Sequence, residues 1–324
     1  MHNPETGVNE ETDEANSAVR IIGGNVFVEL DPDHPGFQDE GYRERRNEIA
    51  KIAIEWNEMS MAERRTQKIP EAPYSNEEHG VWAAIMERME PMHEKYACQQ
   101  YLKYAVQLGL PSDHTPQLQW VSEQLQPLTG FRQEPVGGLV HPKTFHTALA
   151  NKVFLSTQYI RHSSHPFYTP EPDVVHELVG HTAMLAVPEW AELNTLFGEA
   201  DMRTQSEAAI TRLGTVFWFI MEFGVCREND DIKAFGPGML SSFGEIEHAC
   251  TAGAACGRED ACVCDPQIEY RTPDFEEIET RPYDVTKYQP MLYLWDSFEQ
   301  MFEQTSEFVK AWGTEADSRR ELHQ

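Results

Sequence analysis

Two histidines stand five residues apart in the segment Pro172-Asp-Val-Val-His176-Glu-Leu-Val-Gly-His181, which has helical character. The pattern approaches the zinc-protease motif His-Glu-x-x-His, in which both imidazoles share one helical face and the glutamate is the general base. Here the second histidine comes one residue later. At ~100° per residue that offset sends the rings to diverging faces of a straight α-helix, so the spacing predicts a bend at Gly180 if both rings reach one metal. A third ligand candidate is Glu222, a single carboxylate at the end of the apolar run Thr215-Val-Phe-Trp-Phe-Ile-Met221. A carboxylate buried in such surroundings is costly unless paired or bound to metal, which favours coordination.

Two histidines and one carboxylate form the facial triad of non-haem iron(II), with the opposite face open to dioxygen and a co-substrate. Reduction of the second oxygen atom needs two electrons, supplied by 2-oxoglutarate or by a reduced pterin. The 2-oxoglutarate enzymes use His-x-Asp/Glu, and this chain contains neither His-x-Asp nor His-x-Glu. Pterin chemistry is therefore preferred. The rivals are a zinc hydrolase with Glu177 as base and a catalytically retired amino-acid-binding protein.

The elements that must hold these residues are mostly helices. Helical patterns cover about 41–60, a long stretch from a cap at Asn76 to Leu108 with a kink or break at Pro91, 118–128, 145–153, 173–185, 207–224 and 297–312. Val26–Leu30 and Val153–Arg161 are strand-like, whereas 129–145, 162–172 and the stretch from Gly224 through Ser242 are rich in turn residues. The fold class predicted is mainly α with a few short strands, in one domain over 21–315 preceded by a disordered acidic tail, 1–20. The first 18 residues carry five acids and neither Lys nor Arg, which is unlike a secretory signal and points to the cytoplasm. With 26 Lys+Arg against 54 Asp+Glu the net charge is −28, which argues against a nucleic-acid partner. No apolar run is long enough for a membrane span. Cys250, Cys256, Cys262 and Cys264 cluster near His248 but lack paired C-x2-C spacing, so reduced thiols are expected.

From about Val28 to Phe298 the chain resembles the tetrahydropterin-dependent aromatic amino acid hydroxylases. The resemblance is carried by Leu30-Asp-Pro-Asp-His-Pro-Gly-Phe37, Thr129-Gly-Phe-Arg-Gln-Glu-Pro-Val-Gly-Gly-Leu139, Thr157-Gln-Tyr-Ile-Arg-His162, Tyr168-Thr-Pro-Glu-Pro-Asp173, the His176/His181 segment, Trp218 to Gly224, and Lys233-Ala-Phe-Gly-Pro-Gly-Met-Leu-Ser-Ser-Phe-Gly-Glu245. It implies the family's catalytic-domain fold, with Fe2+ held by His176, His181 and Glu222. It further implies tetrahydrobiopterin or a related tetrahydropterin stacked on Phe145, near Gly138, Leu139, Val140, Glu177 and Phe217, with dioxygen as co-substrate. Arg161 falls where the family grips the amino acid carboxylate, oriented by Asp173, and an arginine fork suits that task better than a lysine. Tyr168, Thr169, Pro172, Trp218, Phe223 and Val285 are expected around the substrate, and Ser241 behind His176.

Trp218 and Val285 resemble the phenylalanine enzymes, so ring hydroxylation of phenylalanine to tyrosine is the leading expectation. The loop Ser163-Ser-His-Pro-Phe-Tyr168 is closer to the tryptophan enzymes, which keeps tryptophan 5-hydroxylation as an alternative. Leu155 stands where a histidine near the pterin is usual, and Phe217 where tyrosine is usual; meta-hydroxylation of phenylalanine is the other alternative. With no room for an animal-type regulatory domain or a long tetramerisation helix, a monomer or weak dimer is expected.

Overall fold

Pro142 opens a short helix, because proline is tolerated at the first helical position, where no N–H donor is needed. That helix, Pro142–Ala150, crosses between two parallel strands, Arg132–Val136 and Val153–Thr157, with Arg132 opposite Val153 and Val136 opposite Thr157. Parallel strands cannot be joined by a tight turn, so a crossover helix is the natural link. The segment 129–145, predicted as a loop, thus contains a strand, and Phe145 lies inside the helix. The computed structural model describes residues 10–12, 19–22, 25–167, 169–204, 206–251, 268–285 and 287–313, with side chains from Val28 onward. Within them the chain is mainly helical, as expected.

The helix beginning at Asn76 is capped by Ser75 rather than Asn76, in a reciprocal capping box with Glu78. It runs unbroken through Pro91 to Tyr96, so of the kink or break expected there the break is absent. An internal proline costs a helix about 3 kcal/mol. Burying Trp82, Ile85 and Met89 gains roughly 1.5–3 kcal/mol each, so the packed face wins. The interruption comes at Ala97 and Cys98, where the Cys98 N–H donates to the Ala234 carbonyl at 2.9 Å, and a second helix, Gln99–Leu108, follows.

Helix Pro188–Arg203 lies where none is predicted. Its buried positions include Asn194 and Asp201 beside Trp190, Leu193 and Phe197, which blurs the apolar stripe by which a helix is read. It packs closely on Pro142–Ala150 at Gly198, where a Cβ would sit 2.3 Å from the Ala150 nitrogen and 2.4 Å from the His146 carbonyl oxygen. The turn-rich stretch after Gly224 holds a hairpin, Val225–Glu228 with Asp231–Ala234, turned at Asn229 and Asp230 with φ of 49° and 70°. Asn and Asp tolerate this left-handed conformation, the basis of such turns. The hairpin extends into a four-stranded sheet through Met291–Trp295 to Glu269–Arg271. Met291–Trp295 is buried at every position, so it lacks the alternation that marks a half-exposed strand.

Helix Phe298–Ala311, capped by Ser297, closes the described chain. In the acidic segment expected to be disordered, Glu10–Thr12 forms a strand antiparallel to Val19–Ile22, whose β-branched residues favour extended backbone. Among the described residues no helix is long and apolar enough to cross a membrane. Cys98, Cys226 and Cys250 are free thiols, while Cys256, Cys262 and Cys264 lie outside the described residues.

Candidate functional site

The segment His176–Thr182 is a π-helix, not a bent α-helix. Its i→i+5 repeat brings residues five apart onto one face, so the spacing that looked divergent is the spacing this helix requires. His176 Nε2 and His181 Nε2 lie 3.0 Å apart, and no bend at Gly180 is needed. Gly180 serves another end: a Cβ there would meet the Pro237 carbonyl oxygen at 2.8 Å, so glycine lets Pro237–Leu240 lie against the histidine segment. A second π-helix, Phe217–Glu222, ends on the carboxylate, with the Phe223 N–H donating to the Trp218 carbonyl at 3.1 Å. Glu222 oxygens lie 3.4 Å from His176 Nε2 and 3.2 Å from His181 Nε2.

The proton positions follow from the hydrogen bonds. Ser241 donates its hydroxyl to the Pro237 carbonyl at 2.8 Å, so its oxygen accepts from His176 Nδ1, also at 2.8 Å. His176 Nε2 is then a bare lone pair facing His181 and Glu222. Burial lowers the His176 pKa to about 4, which keeps the ring neutral. Burial acts on His181 too, but the charge and hydrogen bond of Glu222 outweigh it and its pKa lies above the ordinary value. Glu222 is correspondingly lowered by both histidines despite its burial. Two imidazoles and a carboxylate whose ligand atoms lie within 4.8 Å of one another are a donor set that fits a divalent metal with open positions. Between the histidines, Glu177 is pushed up to about 7 by burial, moderated by the charge of His181 and by the Thr157 backbone N–H at 3.4 Å and hydroxyl at 3.2 Å.

Just before this segment, Asp173 accepts from the Arg161 backbone N–H and Nε, both at 2.8 Å, and from Nη2 at 2.7 Å. Burial alone would raise the Asp173 pKa, but Arg161 reverses that and holds it below the ordinary value. Asp173 also accepts the His176 N–H at 3.1 Å, tying the guanidinium to the histidine segment. Pro172 and Thr169 are half-buried nearby, and the Thr169 hydroxyl donates to the Glu171 carbonyl at 2.8 Å. Tyr168 lies outside the described residues.

The Trp218 and Phe223 rings lie 4.7 Å apart, tilted by 46°, and Tyr283 stacks on Trp218 at 4.6 Å and 15°. Val285, expected around the substrate, is 64% exposed. Trp218 Nε1 donates to Gln289 Oε1 at 3.3 Å, and the Gln289 N–H donates to buried Glu245 at 2.8 Å. Neither Glu245 nor Gln289 stood out in sequence, since their link spans 44 positions.

Phe145 and Phe217 form a perpendicular pair with centroids 5.9 Å apart. Gly138 is buried, Leu139 is exposed and Val140 is half-buried. Leu155 belongs to a small apolar cluster with Val136, Ala148 and Val153, against which Val140 and Phe145 pack. An aliphatic residue suits that cluster where histidine is usual. Behind the ring pair, His146 and Asp201 form a buried pair that sequence reading passed over.

A family profile described as biopterin-dependent aromatic amino acid hydroxylase matches residues 10–317. The chain is 38% identical over 289 residues to phenylalanine-4-hydroxylase of Rattus norvegicus, covering 87% of this chain and 58% of that protein. It is equally 38% identical over 292 residues to tyrosine 3-monooxygenase of Schistosoma mansoni, covering 88% and 57%. It thus spans less than two thirds of the length of these relatives. Among solved structures, phenylalanine hydroxylase of Chromobacterium violaceum with bound iron(III) and 7,8-dihydrobiopterin superposes with a TM-score of 0.64 at 26% identity, covering 73% of this chain and 82% of that one.

Proposed function

Because the chain belongs to the biopterin-dependent aromatic amino acid hydroxylase family, we propose that it hydroxylates the ring of a free aromatic amino acid, phenylalanine to tyrosine, using iron(II), a tetrahydropterin and dioxygen. The observation that carries this reading is the convergence of His176 Nε2, His181 Nε2 and the Glu222 carboxylate one short segment from an arginine fork held by Asp173. Bound iron and reduced pterin would supply the oxidising chemistry and its two electrons.

The chain's own residues supply position and protonation state. Ser241 holds the His176 proton on Nδ1 and so keeps Nε2 free for the metal. Arg161, its Nε and Nη2 engaged by Asp173, takes the substrate carboxylate on its remaining donors, and the shared Asp173 contact sets that anchor relative to His176. Trp218, Phe223, Thr169, Pro172 and Tyr168 are assigned to the substrate, with Tyr283 added and Val285 moved to the rim. Phe145 offers a stacking face to the flat pterin and Phe217 an edge-on wall, flanked by Gly138, Leu139 and Val140. Glu177, buried one residue from His176, is suited to accept a hydrogen bond from the pterin.

Meta-hydroxylation of phenylalanine is the second reading, favoured by the purely hydrocarbon surface that Leu155 and Phe217 give the pterin wall. Relatives acting on different amino acids are equally similar, so the substrate rests on the pocket rather than on identity. An iron-loaded assay with tetrahydropterin and oxygen, offering phenylalanine, tryptophan and tyrosine separately, tests it. Para-tyrosine forming fastest supports the assignment; meta-tyrosine or 5-hydroxytryptophan would move it to one of the alternatives. Sedimentation of the same preparation tests the proposed monomer or weak dimer.

A further inference from the structure

His146 and Asp201 are an anomaly in an apolar floor. They are 3% and 0% exposed, and His146 Nδ1 lies 3.2 Å from Asp201 Oδ1, while Asp201 Oδ2 has no hydrogen-bond partner. Burying such a pair costs more than burying aliphatic side chains of similar volume, so stability does not account for it. What distinguishes the pair is its setting. The imidazole wedges behind the perpendicular rings of Phe145 and Phe217, at 5.8 Å and 5.7 Å from their centroids and tilted 53° to both. Asp201 stands one helical turn from Phe197, whose ring meets Phe217 edge-on at 5.2 Å. Phe217 in turn opens the π-helix that ends on Glu222.

We propose that His146, held by Asp201, is a positioning residue that fixes the corner between Phe145 and Phe217 and thereby the seat of the reduced pterin. The inference rests on the functional reading above and deepens it. A carboxylate bond fixes the orientation of an imidazole, whereas an aliphatic side chain at this site is free to choose among rotamers. The close crossing at Gly198 leaves the two helices little freedom to move apart, so the bond reports directly on the ring corner. Because Phe217 and Glu222 share one short helix, the same bond sets the pterin wall relative to the metal carboxylate.

The test uses the full chain, iron-loaded under anaerobic conditions and titrated with 7,8-dihydrobiopterin, which binds without turnover, by quenching of tryptophan fluorescence. Losing the two ring contacts in His146→Leu, or the bond alone in Asp201→Leu, which offers no acceptor, should weaken binding roughly tenfold. The Michaelis constant for tetrahydropterin should rise in step, with iron content and the Michaelis constant for the amino acid within about twofold of the parent. His146→Gln, whose amide can still donate to Asp201, should recover most of the loss. Folded variants that bind dihydropterin as tightly as the parent would overturn the inference while leaving the functional reading intact. If His146→Leu does not fold, Asp201→Leu, similar in shape but unable to accept from the imidazole, decides. A parent that binds no dihydropterin would overturn the functional reading, and this inference with it.

Discussion

Asp173 takes three hydrogen bonds from Arg161, one from the backbone and two from the guanidinium, and both residues are buried. The guanidinium is thereby fixed before any ligand arrives, which lowers the ordering cost of gripping a carboxylate. Arg161→Lys loses the planar fork, and Asp173→Asn loses the charge that orients it. Each should raise the Michaelis constant for the amino acid by about 30-fold or more, the scale of a charge-assisted bidentate contact, while that for tetrahydropterin changes little. Steady-state kinetics with each substrate varied in turn would check this. An effect confined to the pterin would put Arg161 on the wrong ligand.

Ser241 fixes the tautomer of His176, and this has a measurable consequence for metal affinity. Ser241→Ala removes the acceptor at Nδ1, so the proton is free to move to Nε2 and compete with the metal. Loss of such a supporting partner typically costs 10–100-fold in affinity. Competition with a chelator should show a loss of about that size, whereas Glu222→Ala should lose the metal altogether. Iron retained at parental affinity in Glu222→Ala would refute the ligand set.

These residues differ in how legible they are in the sequence. His176, His181 and Glu222 stand out by type and by the apolar run before Glu222, but not their geometry, because a helical wheel presumes an α-helix and the histidines sit on a π-helix. The long amphipathic helices are readable from one-sided burial. Helix Pro188–Arg203 and strand Met291–Trp295 are not, since one buries polar residues and the other is buried throughout. His146 and Asp201 lie 55 positions apart, and neither has a local pattern that names its partner. The ring that packs on Trp218 is Tyr283, two residues before Val285, and no local pattern names it.

Gly180 separates a packing requirement from a conformational one. A Cβ at this position would press on Pro237 backbone, which cannot rotate away as a side chain would. Gly180→Ala should cost about 1–3 kcal/mol, a fall in Tm of roughly 5 °C, and should weaken metal binding by displacing His181. Gly214→Ala is the control: a Cβ there meets nothing within 4 Å, and a helical glycine replaced by alanine should stabilise by about 0.5–1 kcal/mol. Thermal melts of both apo proteins would show opposite signs. A neutral Gly180→Ala would mean that Pro237–Leu240 yields easily and does not brace the ligand segment.

Glu245 couples pH to the substrate wall. It is 6% exposed, and burial pushes its pKa up to about 7, only partly countered by the N–H of Gln289. With the folded pKa above the unfolded one, its contribution to stability is complete below about pH 4.5 and is lost as pH rises through about 7, amounting to about 3 kcal/mol by pH 8. Glu245→Gln keeps an oxygen to accept from Gln289 but never ionises. Relative to the parent, its Tm should therefore climb by several degrees between pH 5 and pH 8, and a pH-independent difference would refute the buried, titrating carboxylate. Gln289 also accepts from Trp218 and donates to the carbonyls of Asp284 and Lys287 at 3.2 and 3.1 Å. Ionisation of Glu245 thus acts on the segment that carries Tyr283 onto Trp218. The Michaelis constant for the amino acid should accordingly vary less with pH in Glu245→Gln than in the parent.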